Sequence, residues 1–138
     1  MKIEIPLPPL DQQRKYILRQ ALDESIKQLE ANLDAPVFPP QTEVKETGQN
    51  SLHLLRENEG WQAPSSDLVA AYFRHFQNCF PQYDTDEKLA ELLGVSSNRR
   101  IRAFKSGEKK VPYGVWRKFL VLTGRVPQEV LPVLGYLG

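Results

Sequence analysis

The sequence predicts an all-α fold: a compact bundle of about five helices, preceded by an N-terminal helix and a proline-rich linker. Apolar residues recur every three or four positions through most of the chain, which is the spacing of one face of an α-helix. Capping residues and glycine or proline stops divide these stretches into helices of ordinary length. In the second half of the chain, no segment alternates apolar and polar residues as a half-buried strand would.

Residues 1–64 are expected to contain an amphipathic helix from Asp11 to about Leu33, with Asp11 as its N-cap. One stripe of this helix is formed by Leu18, Leu22, Leu29 and Leu33. A leucine stripe suits either pairing with another chain or packing on the protein's own domain, and the sequence leaves both uses open. We therefore expect residues 1–64 to be an arm for dimerisation or partner binding.

The rest of this arm has weaker signals. Ala35–Gly48 contains three prolines and no periodicity, which predicts a linker. Ser51–Asn58 has the pattern of a short helix that Gly60 would stop. Trp61 is expected to anchor the arm to a neighbouring surface.

Residues 65–138 are predicted to form the second domain, which begins with two helices. Serines and an aspartate offer N-caps for a helix over 65–80, which Pro81 ends. Asp84 and Glu87 have the spacing of a capping box for the next helix, and Gly94 can end it in a left-handed conformation.

Three further helices are predicted beyond that glycine. Ser96 or Ser97 would cap one that runs to about Lys105. Another extends from Val111 to Thr123, and a last short helix starts at Pro127.

The composition argues against several classes of protein. No apolar run approaches the roughly 18–20 residues needed to cross a bilayer. The amino terminus lacks the apolar core of a signal peptide, so a cytoplasmic protein is expected. Cys79 is the only cysteine, and His53 and His75 are far apart, so neither a disulfide nor a four-ligand zinc site is expected. Without a phosphate-cradling glycine loop or a Ser/His/Asp set, we expect no enzymatic activity, no catalytic residue and no cofactor.

Positive charge is concentrated in one part of the chain. Residues 1–64 carry a net charge of −3, and residues 65–138 carry +4. Between Val95 and Arg125, nine basic side chains accompany one acidic side chain, Glu108, which gives a local net charge of +8. Crowded like charges cost free energy, so such a patch usually faces a polyanion. A charge run alone would more often be an ordinary solvated surface.

The residues around this cluster meet the requirements of a helix-turn-helix between about Thr85 and Phe104. Ala90 is small where the second helix would cross the first, and Val95 would fill the angle between them. Ile101 and Phe104 would pin the second helix to the first. The outer face of that helix would then carry hydrogen-bond donors on a rod that fits the DNA major groove. These donors are Asn98, Arg99, Arg102 and Lys105, with Arg100 at the flank.

Residues 88–124 resemble the Cro and phage-repressor helix-turn-helix family, of the xenobiotic-response-element type. The segments LAELLGVS and IRAFKSGEKKVP carry the resemblance, together with the apolar helix that ends at Gly124. The resemblance covers roughly residues 66–131. It implies a bundle of about five helices whose second and third form the helix-turn-helix, and a homodimer that binds double-stranded operator DNA. It also implies a transcriptional regulator of a phage, plasmid or other mobile element, with a repressor as the expected kind.

Carried over by position, the resemblance implies two kinds of DNA contact. Base edges would be met by Ser97, Asn98, Arg99 and Arg102. Phosphates would be met by Arg100, Lys105, Lys109 and Lys110.

The chain departs from the family pattern at two places. The spacing from Gly94 to Ile101 is one residue longer than usual, which leaves open which of residues 98, 99 and 100 faces the groove. Asp86 stands where the family commonly has a glutamine that contacts phosphate, and its charge would repel DNA.

An alternative is a protein-binding adaptor, or a DNA-binding accessory factor of a mobile element without a direct transcriptional role. In the adaptor interpretation, residues 1–64 recruit a partner and the helical half merely docks. A homodimer could use either the leucine stripe or the tail Val126–Gly138, which is too apolar to be left in water.

Overall fold

The computed structural model describes residues 6–137 and confirms the all-α prediction. Within those residues there are five α-helices and no strand. Four short 3-10 helices lie between the first and third α-helices, at Glu46–Gly48, Ser51–Leu54, Glu57–Glu59 and Pro81–Tyr83. The α-helices are α1 (Leu10–Asn32), α2 (Ser66–Cys79), α3 (Asp86–Leu93), α4 (Asn98–Ser106) and α5 (Tyr113–Leu122). None of the helices in the described range is long and apolar enough to cross a membrane.

The chain divides into two compact units. One comprises Met1–Val37 with Leu131–Gly138, and the other comprises Phe38–Val130. The division at Phe38 differs from the boundary expected at residue 64. The reason is that residues 38–64 contribute buried groups to the second unit, as described below.

In the first unit, α1 starts one residue earlier than predicted, and Asp11 is not its N-cap. Pro9 precedes the helix and has no side-chain cap bond, while the Gln13 side chain donates to the Pro8 carbonyl at 2.7 Å. No residue of α1 is buried. The part of the apolar tail that belongs to this unit is also exposed, with Leu131 at 75% and Leu134 at 97%.

The second unit has a core built around α2 and α5. Phe73, Trp116 and Phe119 are fully buried, and their rings contact one another at centroid distances of 4.9–6.0 Å. The α2 helix also packs on α4, which in turn packs on α3. Trp116 therefore lies at the centre of the core.

Residues 38–64 are tied to this core by a buried histidine. His53 is 5% exposed, and its Nδ1 accepts a hydrogen bond from the Trp116 indole N–H at 3.1 Å. The Trp61 indole N–H donates to the His53 carbonyl, also at 3.1 Å. The Trp61 ring packs against the core, with its centroid 5.3 Å from that of the Tyr113 ring, so Trp61 anchors the arm as predicted. Part of the predicted linker is also attached to the core, because Val44 packs against it. The helix expected over 51–58 is replaced by two 3-10 turns. Gly60 and the hydrogen bonds of His53 and Trp61 leave too few unconstrained residues for a stable α-helix.

Local signals placed most of the remaining helix ends. Gly94 ends α3 with φ +72°, and the Val95 N–H donates to the Ala90 carbonyl at 2.8 Å, as in a Schellman motif. The predicted capping box was wrong. Thr85, not Asp84, caps α3, because its hydroxyl accepts from the Lys88 N–H at 3.2 Å, whereas the Asp84 carboxylate pairs with the Lys88 ammonium group.

The short helix predicted from Pro127 was also wrong. No helical turn is assigned after Gly124 within the described range. Pro127 and Pro132 remove two backbone donors within six residues, and the apolar residues between them find no surface to pack on.

Candidate nucleic-acid interface

The face that α4 presents to solvent is set by the residues that it buries. Ile101 and Phe104 are 0% and 2% exposed, which confirms that both point inward. Ala103 is buried beside them. The opposite side carries Asn98, Arg99 and Arg102. Together with Ser97, the exposed N-cap residue just before them, they form what we call the α4 face. Both arginines of this face are exposed, Asn98 is partly buried, and the Arg102 side chain is 69% exposed.

Periodicity places these residues together. Asn98 and Arg102 are four residues apart and so share one side of the helix, with Arg99 next to them. Arg100 lies to the other side, where its guanidinium carbon is 5.9 Å from the centre of the Phe104 ring. Of the three residues left open by the longer turn, Asn98 and Arg99 therefore lie on the α4 face and Arg100 lies on its flank.

The start of α4 is electrostatically unusual for a helix. Its first turn contains no acidic residue and carries Arg99 and Arg100. Cations are disfavoured at the positive end of a helix dipole, by about 0.3–1 kcal/mol each. Ser97 occupies the N-cap position, but its side chain accepts no hydrogen bond from the first turn. The free backbone N–H groups and the two guanidinium groups are together suited to an anion.

A carboxylate organises the other end of α4. Lys105 donates to both oxygens of Asp86 at 2.8 and 2.9 Å, and the Gln77 amide donates to the same carboxylate at 3.3 Å. The Asp86 side chain is only 17% exposed. Its negative charge is therefore compensated inside the protein, which reduces the repulsion that its position suggested.

This network separates Lys105 from the other predicted phosphate contacts. The Lys105 side chain is 23% exposed and is engaged by Asp86. Arg102 is only loosely associated with the same carboxylate, with its Nε 3.8 Å from an Asp86 oxygen. At this distance, and with the Arg102 side chain 69% exposed, the pair contributes little, so the Arg102 guanidinium group remains available to a ligand.

The loop after α4 carries the remaining predicted cations. Lys109 and Lys110 are exposed. The Lys109 N–H donates to the Ala103 carbonyl at 3.2 Å, which fixes the start of this loop on α4. Neither lysine has an ion-pair partner among the described residues. The loop thus holds two solvated positive charges just beyond the C-terminus of α4.

Two other members of the basic cluster have structural roles. Arg117 donates to the Leu54 carbonyl at 3.2 Å. The Arg125 guanidinium carbon lies 3.9 Å above the Tyr72 ring. Burial, together with a hydrogen bond from its hydroxyl to Glu46, raises the pKa of Tyr72 to about 12. These contacts reduce the number of cations that can serve a ligand. The exposed cations that remain are those of the α4 face, its flank and its loop, together with Lys118 on α5.

No family model, no curated protein and no solved structure matches the chain. The basis for assigning a function is therefore the local chemistry: a short helix with a buried apolar side, an arginine-bearing outer side and two lysines beyond its end.

Sequence reasoning missed the two residues that organise this region from a distance. Asp86 was noted only as a departure from a family pattern, although its partner Lys105 is 19 residues away. His53 stands alone in the sequence, although it accepts a hydrogen bond from Trp116, 63 positions later. Periodicity and capping rules give no signal for pairs at such separations.

Proposed function

We propose that this chain is a sequence-specific double-stranded DNA-binding protein in which α3, the turn at Gly94 and α4 act as a helix-turn-helix. The observation that carries the proposal is the division of α4 into a buried side, with Ile101 and Phe104, and an outward side, with Arg99 and Arg102. A helix that exposes arginines on one side has the width and the donors to read base edges in a major groove.

The contacts divide by chemistry. Arg99 and Arg102 are assigned to guanine O6 and N7, and Asn98 to adenine, since these are the bidentate pairings that the side chains favour. Ser97 precedes Asn98 at the N-terminal end of α4 and is the fourth residue assigned to base edges. Phosphates are assigned to Arg100, Lys109 and Lys110, and to the backbone N–H groups at the start of α4. Lys105 is left out of this set because Asp86 holds it.

A homodimer follows from the size of the recognition element. The nine residues of α4 span about 14 Å, so one copy reaches only a few base pairs. Two copies on an inverted repeat would read two half-sites about one helical turn apart. We propose a transcriptional regulator, with repression as its mode, and a binding protein rather than an enzyme.

The adaptor is the second candidate, and the exposed apolar residues of the first unit favour it. Leu22 and Ile26 of α1, Leu33 at its C-cap, and Leu134 of the tail are all at least 48% exposed. Surfaces of this kind often mark protein partners. An adaptor needs no affinity for nucleic acid, so DNA binding separates the two candidates.

The test begins with selection of duplexes from a random pool by the full-length protein. Binding to the selected duplex and to a random duplex is then measured by fluorescence anisotropy for the wild type, Arg99→Ala and Arg102→Ala. In a homodimer each substitution removes two base contacts of about 1–3 kcal/mol each, so we expect binding to the selected duplex to weaken by roughly 30-fold or more, with a much smaller effect on binding to the random duplex. Lys45→Ala, an exposed cation on the arm, is the matched control.

Equal losses on both duplexes would contradict the base-reading role of the two arginines. No salt-sensitive binding to any duplex, with the fold intact by circular dichroism, would overturn the proposal and favour the adaptor.

A further inference from the structure

The helix α1 carries an apolar stripe that is largely exposed. Along this stripe Leu18, Leu22, Ile26 and Leu33 are 44%, 48%, 52% and 85% exposed, and Leu29 is partly buried. Spacings of three and four residues place all five on one side of the helix. A continuous apolar stripe of this length on a surface helix is typical of a contact with another helix.

The tail does not remove this exposure. Gly135, Tyr136 and Leu137 line a cavity with the first turns of α1, including Leu18. Leu18 is nevertheless 44% exposed, and Tyr136 is 54% exposed. None of the stripe residues after Leu18 lines that cavity.

The order of leucines along the stripe is symmetric. Leu18 and Leu33 are equally distant from the point midway between Ser25 and Ile26, and so are Leu22 and Leu29. When two copies of α1 lie antiparallel about that point, Leu18 of each copy faces Leu33 of the other. Leu22 then faces Leu29, and Ile26 of the two copies meets near the centre. The stripe is therefore complementary to itself, which is what a two-fold interface requires.

The charges on α1 favour the same arrangement. Residues 10–21 contain three basic side chains and one acidic side chain, a net charge of +2. Residues 22–34 contain one basic and four acidic side chains, a net charge of −3. A parallel pair would place like halves side by side, whereas an antiparallel pair places the basic half of each copy against the acidic half of the other.

One pair of residues makes this complementarity specific. Arg19 and Glu30 flank the stripe on the same side, because they are eleven residues, about three turns, apart. In the antiparallel arrangement, Arg19 of each copy lies beside Glu30 of the other, so the pair forms twice. Within one helix the two residues are about 16 Å apart along the axis and cannot form an ion pair.

We propose that the protein forms a homodimer through antiparallel pairing of α1 with α1 of a second copy, with ion pairs between Arg19 and Glu30. This inference gives the homodimer of the proposed function its contact surface and rests on that part of it. Pairing is measured without DNA, so failure of DNA binding and failure of pairing are distinguishable.

The first experiment measures self-association of the full-length protein by sedimentation equilibrium at micromolar concentrations without DNA. The wild type is expected to dimerise, and Leu22→Lys is expected to be monomeric. Arg19→Glu and Glu30→Arg should each weaken dimerisation roughly tenfold or more, because two attractive contacts become repulsive. The double variant Arg19→Glu/Glu30→Arg should restore it. Since no residue of α1 is buried, these substitutions leave the core of the second unit intact, which circular dichroism checks.

The second experiment determines the orientation by disulfide cross-linking in a Cys79→Ser background. Ile26→Cys lies near the two-fold axis and should cross-link to its copy under oxidation. Leu18→Cys should not, because its copy is about 22 Å away along the axis, beyond the reach of a disulfide. Cross-linking of Leu18→Cys would overturn the antiparallel arrangement. A wild type that remains monomeric, or a double charge swap that restores nothing, would overturn the proposal itself.

Discussion

At the scale of single residues, His53 is the group whose protonation state the fold dictates. Its Nδ1 accepts from the Trp116 indole, so that nitrogen carries no proton and the ring is neutral. Burial lowers the pKa of His53 below its usual 6.5, and the Arg125 charge acts in the same direction, while Glu46 opposes both. A histidine held neutral in this way makes stability depend on pH.

We expect the free energy of unfolding to fall as the pH drops from 7 towards 5. The unfolded chain takes up a proton at His53 near pH 6.5, whereas the folded protein takes it up only at lower pH, so acid favours unfolding. The contribution of His53 is therefore complete above pH 6.5 and is lost as the pH falls through its folded pKa. Each unit by which that pKa is lowered corresponds to about 1.4 kcal/mol. Urea unfolding at a series of pH values measures this.

His53→Asn is the control for this prediction. The asparagine carbonyl oxygen can replace Nδ1 as the acceptor for Trp116 but does not titrate. The variant should lose part of the pH dependence between 7 and 5 while remaining folded. If wild type and variant changed in parallel over this range, His53 would not be the responsible group.

At the scale of elements, two glycines that lie seven residues apart have different roles. Gly107 ends α4 with φ +84°, and a Cβ there would lie 3.0 Å from the Ser66 hydroxyl at the start of α2. Gly114 lies in the first turn of α5, with nothing within 4 Å of a Cβ. Gly107→Ala should therefore lower the free energy of unfolding by about 1–2 kcal/mol, from the left-handed backbone alone.

Gly114→Ala should raise the free energy of unfolding by about 0.5–1 kcal/mol, because it removes backbone entropy from the unfolded chain. Gly94→Ala is the intermediate case, since φ is +72° but the space is open. The excess cost at Gly107 over Gly94 then measures the contact with Ser66. Chemical denaturation of the three variants gives the comparison, and equal stability of Gly107→Ala and the wild type would refute it.

Some helix ends and buried positions could be predicted from the sequence, and one helix cap could not. The ends of α3 and α5 followed from single residues, because a glycine after a periodic stretch is a local signal. The inward positions of Ile101 and Phe104 followed from spacing alone. The cap at Thr85 was missed because three neighbouring residues, Asp84 to Asp86, could all serve, and only the local backbone decides among them.

At the scale of the whole molecule, long-range contacts decided what the sequence could not. The first 64 residues looked like an arm, but Phe38–Pro64 belongs to the unit that contains α2–α5. Its attachment depends on His53 meeting Trp116 and on Glu46 meeting the Tyr72 hydroxyl, pairs that are 63 and 26 residues apart. For the candidate site, the exposed arginines were predictable from periodicity, whereas the pairing of Lys105 with Asp86 was not.

The uneven distribution of charge along the chain leads to a prediction about salt. Lys109 and Lys110 are exposed, and we assign them to phosphates, where they release condensed counterions without reading sequence. Each lost phosphate contact lowers the slope of log affinity against log salt by about 0.9, so Lys109→Ala in a homodimer should lower it by about 1.8. Lys109→Ala should lower the affinity by the same factor for selected and random duplexes, whereas Arg102→Ala should lower it mainly for the selected duplex. Anisotropy titrations across a salt series measure the slope, with Lys45→Ala as the unchanged reference. A slope that Lys109→Ala leaves at its wild-type value would place this lysine away from the DNA backbone, and the groove contacts of α4 would then have to be oriented without it.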